Sequence, residues 1–244
     1  MFNAQNFAVR LSTRSDRWSL LKDFVAEWHS PLKPGDGYSA SELDAAEQRL
    51  GLKLPLALRE CYGFAGKFIE AFSVNPYCFT PLYELSIQED DHNQILWLFS
   101  ETQAIVSWGI RQQDLAQDAP PVYSDNSYVS AELLPSNKTF LEFILQVIVH
   151  QTVCFTEIGG NAAGKEDTAD IVAAHYQPLG LLSWRYPSDL SQLYGSDDIL
   201  IELDTDGKGY CWIWVAALTE TALSKTVGLF SLGWDYLYKG VPID

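Results

Sequence analysis

Apolar positions recur at helical spacing early in the chain and switch to short alternating or continuous runs after about residue 66, a pattern that predicts an α+β fold. Trp18, Leu21, Phe24, Val25 and Trp28 fall on one side of an amphipathic opening helix, and Pro31 to Gly37 reads as a turn-rich linker. Ser39-Ala40-Ser41-Glu42 has the order of a capping box, in which the serine hydroxyl and the glutamate carboxylate satisfy helix-start amides reciprocally. Leu43, Ala46 and Leu50 continue that helix on one face, and Gly51 is suited to the left-handed conformation that ends it. Leu54, preceding a proline, is pushed towards extended backbone. Pro55 fits the first position of a second helix, where its missing N–H costs nothing. That helix is expected to carry Leu58, Cys61, Tyr62 and Ala65 inward and to stop at Gly66.

Ile95-Leu96-Trp97-Leu98-Phe99 reads as a strand buried on both faces, with Ile105 to Ile110 returning as its hairpin partner around Glu101-Thr102-Gln103. Ala119-Pro120-Pro121 interrupts regular structure before Val122-Tyr123. Phe140, Leu141, Ile144, Leu145 and Ile148 mark a helix capped by Ser136 or Asn137. Beyond residue 150, Thr156 to Lys165 reads as a loop, Asp170 to Tyr176 as a short helix, and Pro187 to Tyr194 as another ending at Gly195. Ile199, Ile201 and Leu203 alternate with Leu200, Glu202 and Asp204, predicting a strand with an acidic outer edge. Asp206-Gly207 supplies the turn, Tyr210 to Ala216 the returning strand with Trp212 and Trp214 on one face, and Thr219 the cap of a last helix through Leu223 and Val227. The Ile95 and Ile199 hairpins align without a gap, each with a tryptophan thirteen residues on, but share only three of sixteen positions; a degenerate repeat is one expectation for the second half.

An apolar fraction of 47% with 13% aromatics suffices for a sizeable core and argues against disorder. No apolar run approaches the roughly 18 residues of a membrane span. Met1 to Gln5 shows no charged and apolar leader pattern, and Cys61, Cys78, Cys154 and Cys211 are isolated among apolar neighbours. Buried reduced thiols in a cytoplasmic protein are therefore expected. The net charge is −16 and unevenly spread: residues 1–67 hold nine Lys/Arg and eight Asp/Glu, residues 68–244 seven and twenty-four. Such a field repels nucleic acid and anionic lipid and favours basic partners.

Catalytic and metal motifs are sparse. Asp204-Thr205-Asp206-Gly207 starts like a calcium loop, but Lys208 and Val215 stand where further ligands belong, so a hairpin turn is expected. Gly159-Gly160 and Gly164-Lys165 lack the order of a phosphate loop. The pairs Asp90-Asp91, Glu166-Asp167 and Asp197-Asp198 do not converge on one point when adjacent strand residues diverge, and read as surface acids or an acidic docking face. His29, His92, His150 and His175 show no metal spacing, and Cys154 with His175 as a nucleophile pair has no local support. Trp97, Trp108, Trp212, Trp214 and Trp234 read mostly as core, with Trp234 near an exposed edge. No catalytic residue, cofactor or metal is expected.

The run Glu47-x-x-Leu50-Gly51-x-x-Leu54-Pro55-x-x-x-Arg59-x-x-Tyr62-x-x-x-Gly66 resembles the signature of the SUKH superfamily, the domain of the yeast Smi/Knr cell-wall regulator and of many bacterial immunity proteins. Trp108, Pro120-Pro121-Val122-Tyr123 and Thr139-Phe140-Leu141 extend the similarity, which covers roughly residues 15–150. The resemblance implies a mainly antiparallel sheet with helices on one face over residues 1–150, followed by a mixed α/β extension over 151–244. It also implies a non-catalytic immunity protein that occludes a basic, nuclease- or deaminase-type toxin. The alternatives are a regulatory scaffold in cell-wall or glucan synthesis, and a small-molecule or enzymatic role in the extension. Glu47, Leu50, Gly51, Leu54, Pro55, Arg59 and Gly66 are structural in this scheme. Charge density alone nominates Asp90, Asp91, Asp197, Asp198, Glu202 and Asp204 as partner-binding acids.

Overall fold

A computed structural model describes residues 4–72, 77–89, 94–103, 105–126, 132–184, 190–209 and 211–238. Along the chain, α1 (Phe7–Arg10), α2 (Arg14–Trp28), α3 (Ala40–Leu50) and α4 (Leu56–Phe72) precede strands β1 (Tyr77–Phe79), β2 (Ile87–Glu89), β3 (Gln94–Glu101), β4 (Val106–Arg111), β5 (Val122–Asn126) and β6 (Leu134–Asn137). Helix α5 (Phe140–Phe155) follows, then β7 (Gly159–Ala163), α6 (Thr168–His175), β8 (Gln177–Pro178), β9 (Leu190–Gly195), β10 (Ile199–Thr205), β11 (Cys211–Ala217), α7 (Glu220–Val227) and β12 (Trp234–Leu237). All strand pairings among the described residues are antiparallel, so the fold is α+β. None of the described helices is long and apolar enough to cross a membrane.

Two compact units form, divided differently from the 1–150 and 151–244 scheme. One is Pro31–Leu145; the other joins Met1–Ser30 to Gln146–Asp244. The boundary falls inside α5, which continues seven residues past Ile148 without a break.

In unit 31–145 the sheet runs β1-β3-β4-β5-β6, with β2 also on β3. Ile95, Leu96, Leu98 and Phe99 are all buried, so both faces of β3 are covered as the continuous apolar run predicts. Phe99, Trp108 and Phe143 meet with ring centroids 5.5–6.4 Å apart. Helix α4 buries Leu58, Cys61, Tyr62, Ala65 and Ile69 along one stripe. It passes through Gly66, the expected stop, and ends at Phe72. Gly66 serves packing instead: a Cβ there would stand 2.9 Å from the Tyr38 ring. Thr139, not Ser136 or Asn137, caps α5, its hydroxyl accepting from the Glu142 N–H.

In the other unit the sheet order is β12-β7-β11-β10-β9-β8. Its main core sets Ile199, Ile201, Leu203, Ile213 and Val215 against Val172 of α6, Tyr176 immediately after it, and Leu223 of α7. The stretch expected to be a loop is the inner strand β7, and the expected helix before Gly195 is strand β9 over its described part. The repeat fails in detail. Trp108 pairs with Phe99, whereas Trp212 pairs with Asp204, one position beyond Leu203, which is the counterpart of Phe99. The first hairpin also carries a register shift between Trp97 and Phe99.

Candidate functional site

The signature residues build an elbow between α3 and α4. Ser39 and Glu42 form the predicted capping box, and Gly51 ends α3 at φ 68°. Leu54 and Pro55 are buried, Leu50 is half-buried, and Pro55 stands just before the first helical residue, its carbonyl accepting from the Arg59 N–H. Glu47, on the inner side of α3, reaches across the bend. Its Oε1 accepts from the Leu54 backbone N–H at 3.2 Å and pairs with Arg59 Nη1 at 3.0 Å, and its Oε2 pairs with Lys53 at 2.6 Å. Burial pushes the Glu47 carboxyl up, but Lys53, the Leu54 amide and Arg59 outweigh it and hold the group below the usual 4.5. Arg59 also pairs with Asp44 at 2.7 Å. Beside the elbow lies a groove of ≈ 810 Å³ whose walls include Leu52, Leu56, Asp44, Arg59, Leu115 and Asp118.

The nominated acids separate into three groups. Asp90 and Asp91 lie outside the described residues, as does His92. Asp197 and Asp198 are exposed at the β9–β10 turn. Glu202 and Asp204 are not on an outer edge at all: their relative exposures are 1% and 2%. Strand β10 is an inner strand covered on both faces, so the side opposite Ile199, Ile201 and Leu203 is also interior. Asp204 is therefore part of the strand core, and the turn chemistry belongs to Asp206, whose Oδ1 accepts from the Lys208 N–H.

On that second face the chain assembles a polar cluster. His150 Nδ1 lies 2.7 Å from Glu202 Oε2, and the Ser191 hydroxyl donates to Glu202 Oε1 from the neighbouring strand. Cys154 Sγ lies 3.8 Å from His150 Nδ1 and 3.9 Å from Glu202 Oε2. Trp214 Nε1 donates to Asp204 Oδ2 at 3.3 Å, while Asp204 Oδ1 is buried without a hydrogen-bond partner among the described residues. Burial raises the Asp204 carboxyl from 3.8 to about 7, and Glu202 beside it adds to the rise against Ser191, His150 and Trp214. Burial pushes the His150 imidazole down, but the Glu202 and Asp204 charges with the Glu202 hydrogen bond leave it raised above 6.5. Burial, with Glu202 and Asp204, drives the Cys154 thiol well above 9.0.

This is not the arrangement of an activated thiol. Glu202 and Cys154 face the same imidazole nitrogen, so His150 cannot take the thiol proton while its other side is oriented by the carboxylate. The thiol is also shifted away from the thiolate form. His175, the histidine singled out with Cys154 by sequence, is exposed on α6, and the histidine that meets Cys154 is His150. The missed signal was local: His150 and Cys154 stand one turn apart on α5 and share a helix face.

Two further expectations change. Among the cysteines only Cys61 is fully buried; Cys78 is exposed and Cys154 and Cys211 are half-buried, all as free thiols. Of the five tryptophans only Trp108 is fully buried, the other four being half-buried. No family model, curated protein or solved structure matches this chain.

Proposed function

We propose that this chain is a non-catalytic binding protein of the SUKH immunity type, which neutralises a basic nuclease- or deaminase-type toxin by covering its substrate cleft. What carries this reading is the distribution of charge over the two units. Residues 31–145 hold seven Lys/Arg against sixteen Asp/Glu, and the other unit nine against sixteen. Several of the cations in unit 31–145 are already engaged: Arg49 donates to the Leu82 and Leu85 carbonyls, Lys53 and Arg59 are tied to Glu47, and Lys67 pairs with Glu42. The signature's own charges are thus spent inside the elbow, which makes the signature a scaffold. A carboxylate-rich exterior is left for a partner, with exposed Asp118 beside the groove and Asp197 and Asp198 on the other unit. Such a surface speeds encounter with a basic protein and disfavours acidic competitors.

The test isolates the tight protein partner by pull-down from the native host. Association is followed at two salt concentrations for the wild type, Asp118→Lys, and the double variant Asp197→Lys/Asp198→Lys. At least one variant is expected to slow association about tenfold at low salt, with little change in dissociation or melting temperature. An association rate indifferent to salt and to all three reversals removes the immunity mechanism. A tight partner that is itself acidic does the same, and favours the scaffold role.

A further inference from the structure

We propose that His150, Cys154 and Glu202 form a binding site for a divalent cation of the zinc class. Spacing rules applied to the sequence find no such site, because its donors come from two elements far apart in the chain. Helix α5 supplies His150 and Cys154 from successive turns of one face, and β10 supplies Glu202 from the sheet face opposite. Their nearest donor atoms all lie within 4.8 Å of one another.

The geometry needs little adjustment. A tetrahedral zinc ion, with bonds of roughly 2.0–2.3 Å, holds its ligand atoms about 3.2–3.7 Å apart. The two separations from Cys154 Sγ, 3.8 and 3.9 Å, need to close by only a few tenths of an ångström. The 2.7 Å contact between His150 Nδ1 and Glu202 Oε2 must open by about half an ångström as the ion replaces the shared proton. One nitrogen, one sulfur and one carboxylate oxygen make a borderline-soft set. It suits zinc or cobalt and disfavours calcium and magnesium, which take oxygen ligands.

Charge supplies the second, independent argument. Glu202 and Asp204 project from the same face of β10 into the interior, and no lysine or arginine of the described residues pairs with either. Two buried carboxylates face one imidazole, and no described residue hydrogen-bonds to Asp204 Oδ1. Two carboxylates buried side by side are costly unless a proton or a cation offsets them. Around the trio, the Ser191 hydroxyl fixes Glu202 through Oε1 and leaves Oε2 directed at the site, the usual task of an outer partner to a metal ligand. Cys154 is the half-buried member of the trio.

The test is titration of the chelator-treated full chain with Co(II), read by absorption, then displacement by Zn(II). One equivalent of Co(II) is expected, with a thiolate-to-cobalt charge-transfer band that Zn(II) removes. Cys154→Ser, a near-isosteric change at a half-buried position, abolishes the band, while Cys78→Ser at an exposed site keeps it. Ser191→Ala weakens Zn(II) binding about 10- to 100-fold, as loss of an outer partner does. A chain that binds no stoichiometric cobalt overturns the proposal, and so does a band that survives in Cys154→Ser.

Discussion

Replacing Glu47 by alanine measures how much the elbow depends on a single carboxylate. The Leu54 N–H, buried with its acceptor, loses its one side-chain partner among the described residues. An amide left unsatisfied in the interior costs about 1–3 kcal/mol. Arg59 is partly exposed and keeps Asp44, so its loss adds at most about 1 kcal/mol, and Lys53, with its side chain 85% exposed, adds close to nothing. The expected destabilisation is about 1–4 kcal/mol, overlapping the range for deleting a core leucine, by urea unfolding with tryptophan fluorescence as the probe. Glu47→Gln, which retains an acceptor for Leu54, is expected to lose less than half of that. The acid response gives a second check. The folded carboxyl lies below its ordinary 4.5, so its contribution is complete above that pH and disappears as pH falls through the lowered value. Both variants should therefore show a flatter decline of stability on acidification than the wild type. A loss under about 0.5 kcal/mol in Glu47→Ala, the level of an exposed ion pair, would refute the view that Glu47 holds the bend.

Two other substitutions probe the same unit. Leu58→Ala, in the fully buried stripe of α4, is expected to cost about 2–5 kcal/mol by the same denaturation assay, and Leu50→Ala, only half-buried, distinctly less. Gly37→Ala places a Cβ 2.0 Å from the Gly63 carbonyl oxygen, where backbone must move, and is expected to lower stability by at least about 1–3 kcal/mol. Gly35→Ala, with open space around it, serves as the neutral control in thermal unfolding.

The elements that sequence chemistry predicted share a property: their cause lies within a few residues. The Ser39–Glu42 capping box, the left-handed Gly51, the Thr219 cap on α7 and the antiparallel pairing of β10 with β11 depend on neighbours along the chain. The elements misread depend on distant partners. Gly159 and Gly160 resemble a loop, yet they sit between β11 and β12 because nothing larger fits: a Cβ on Gly159 would stand 2.6 Å from the Val215 carbonyl oxygen, and one on Gly160 2.9 Å from the Leu237 side chain. Glu47 was readable as a motif residue, but its three partners became visible only when the chain turned back on itself.

The candidate site shows the same division. By itself the sequence determined that Leu200, Glu202 and Asp204 share one strand face, because backbone periodicity fixes it. That His150 and Cys154 share one helix face emerged only with the continuation of α5 past Ile148 to Phe155. Only the tertiary structure decided that these two faces meet. Alternation tells which side chains lie together, but whether that side sees water depends on elements about fifty residues away. The helix laid against β10 turns what reads as an acidic edge into an interior cluster, where two carboxylates, an imidazole and a thiol must satisfy one another.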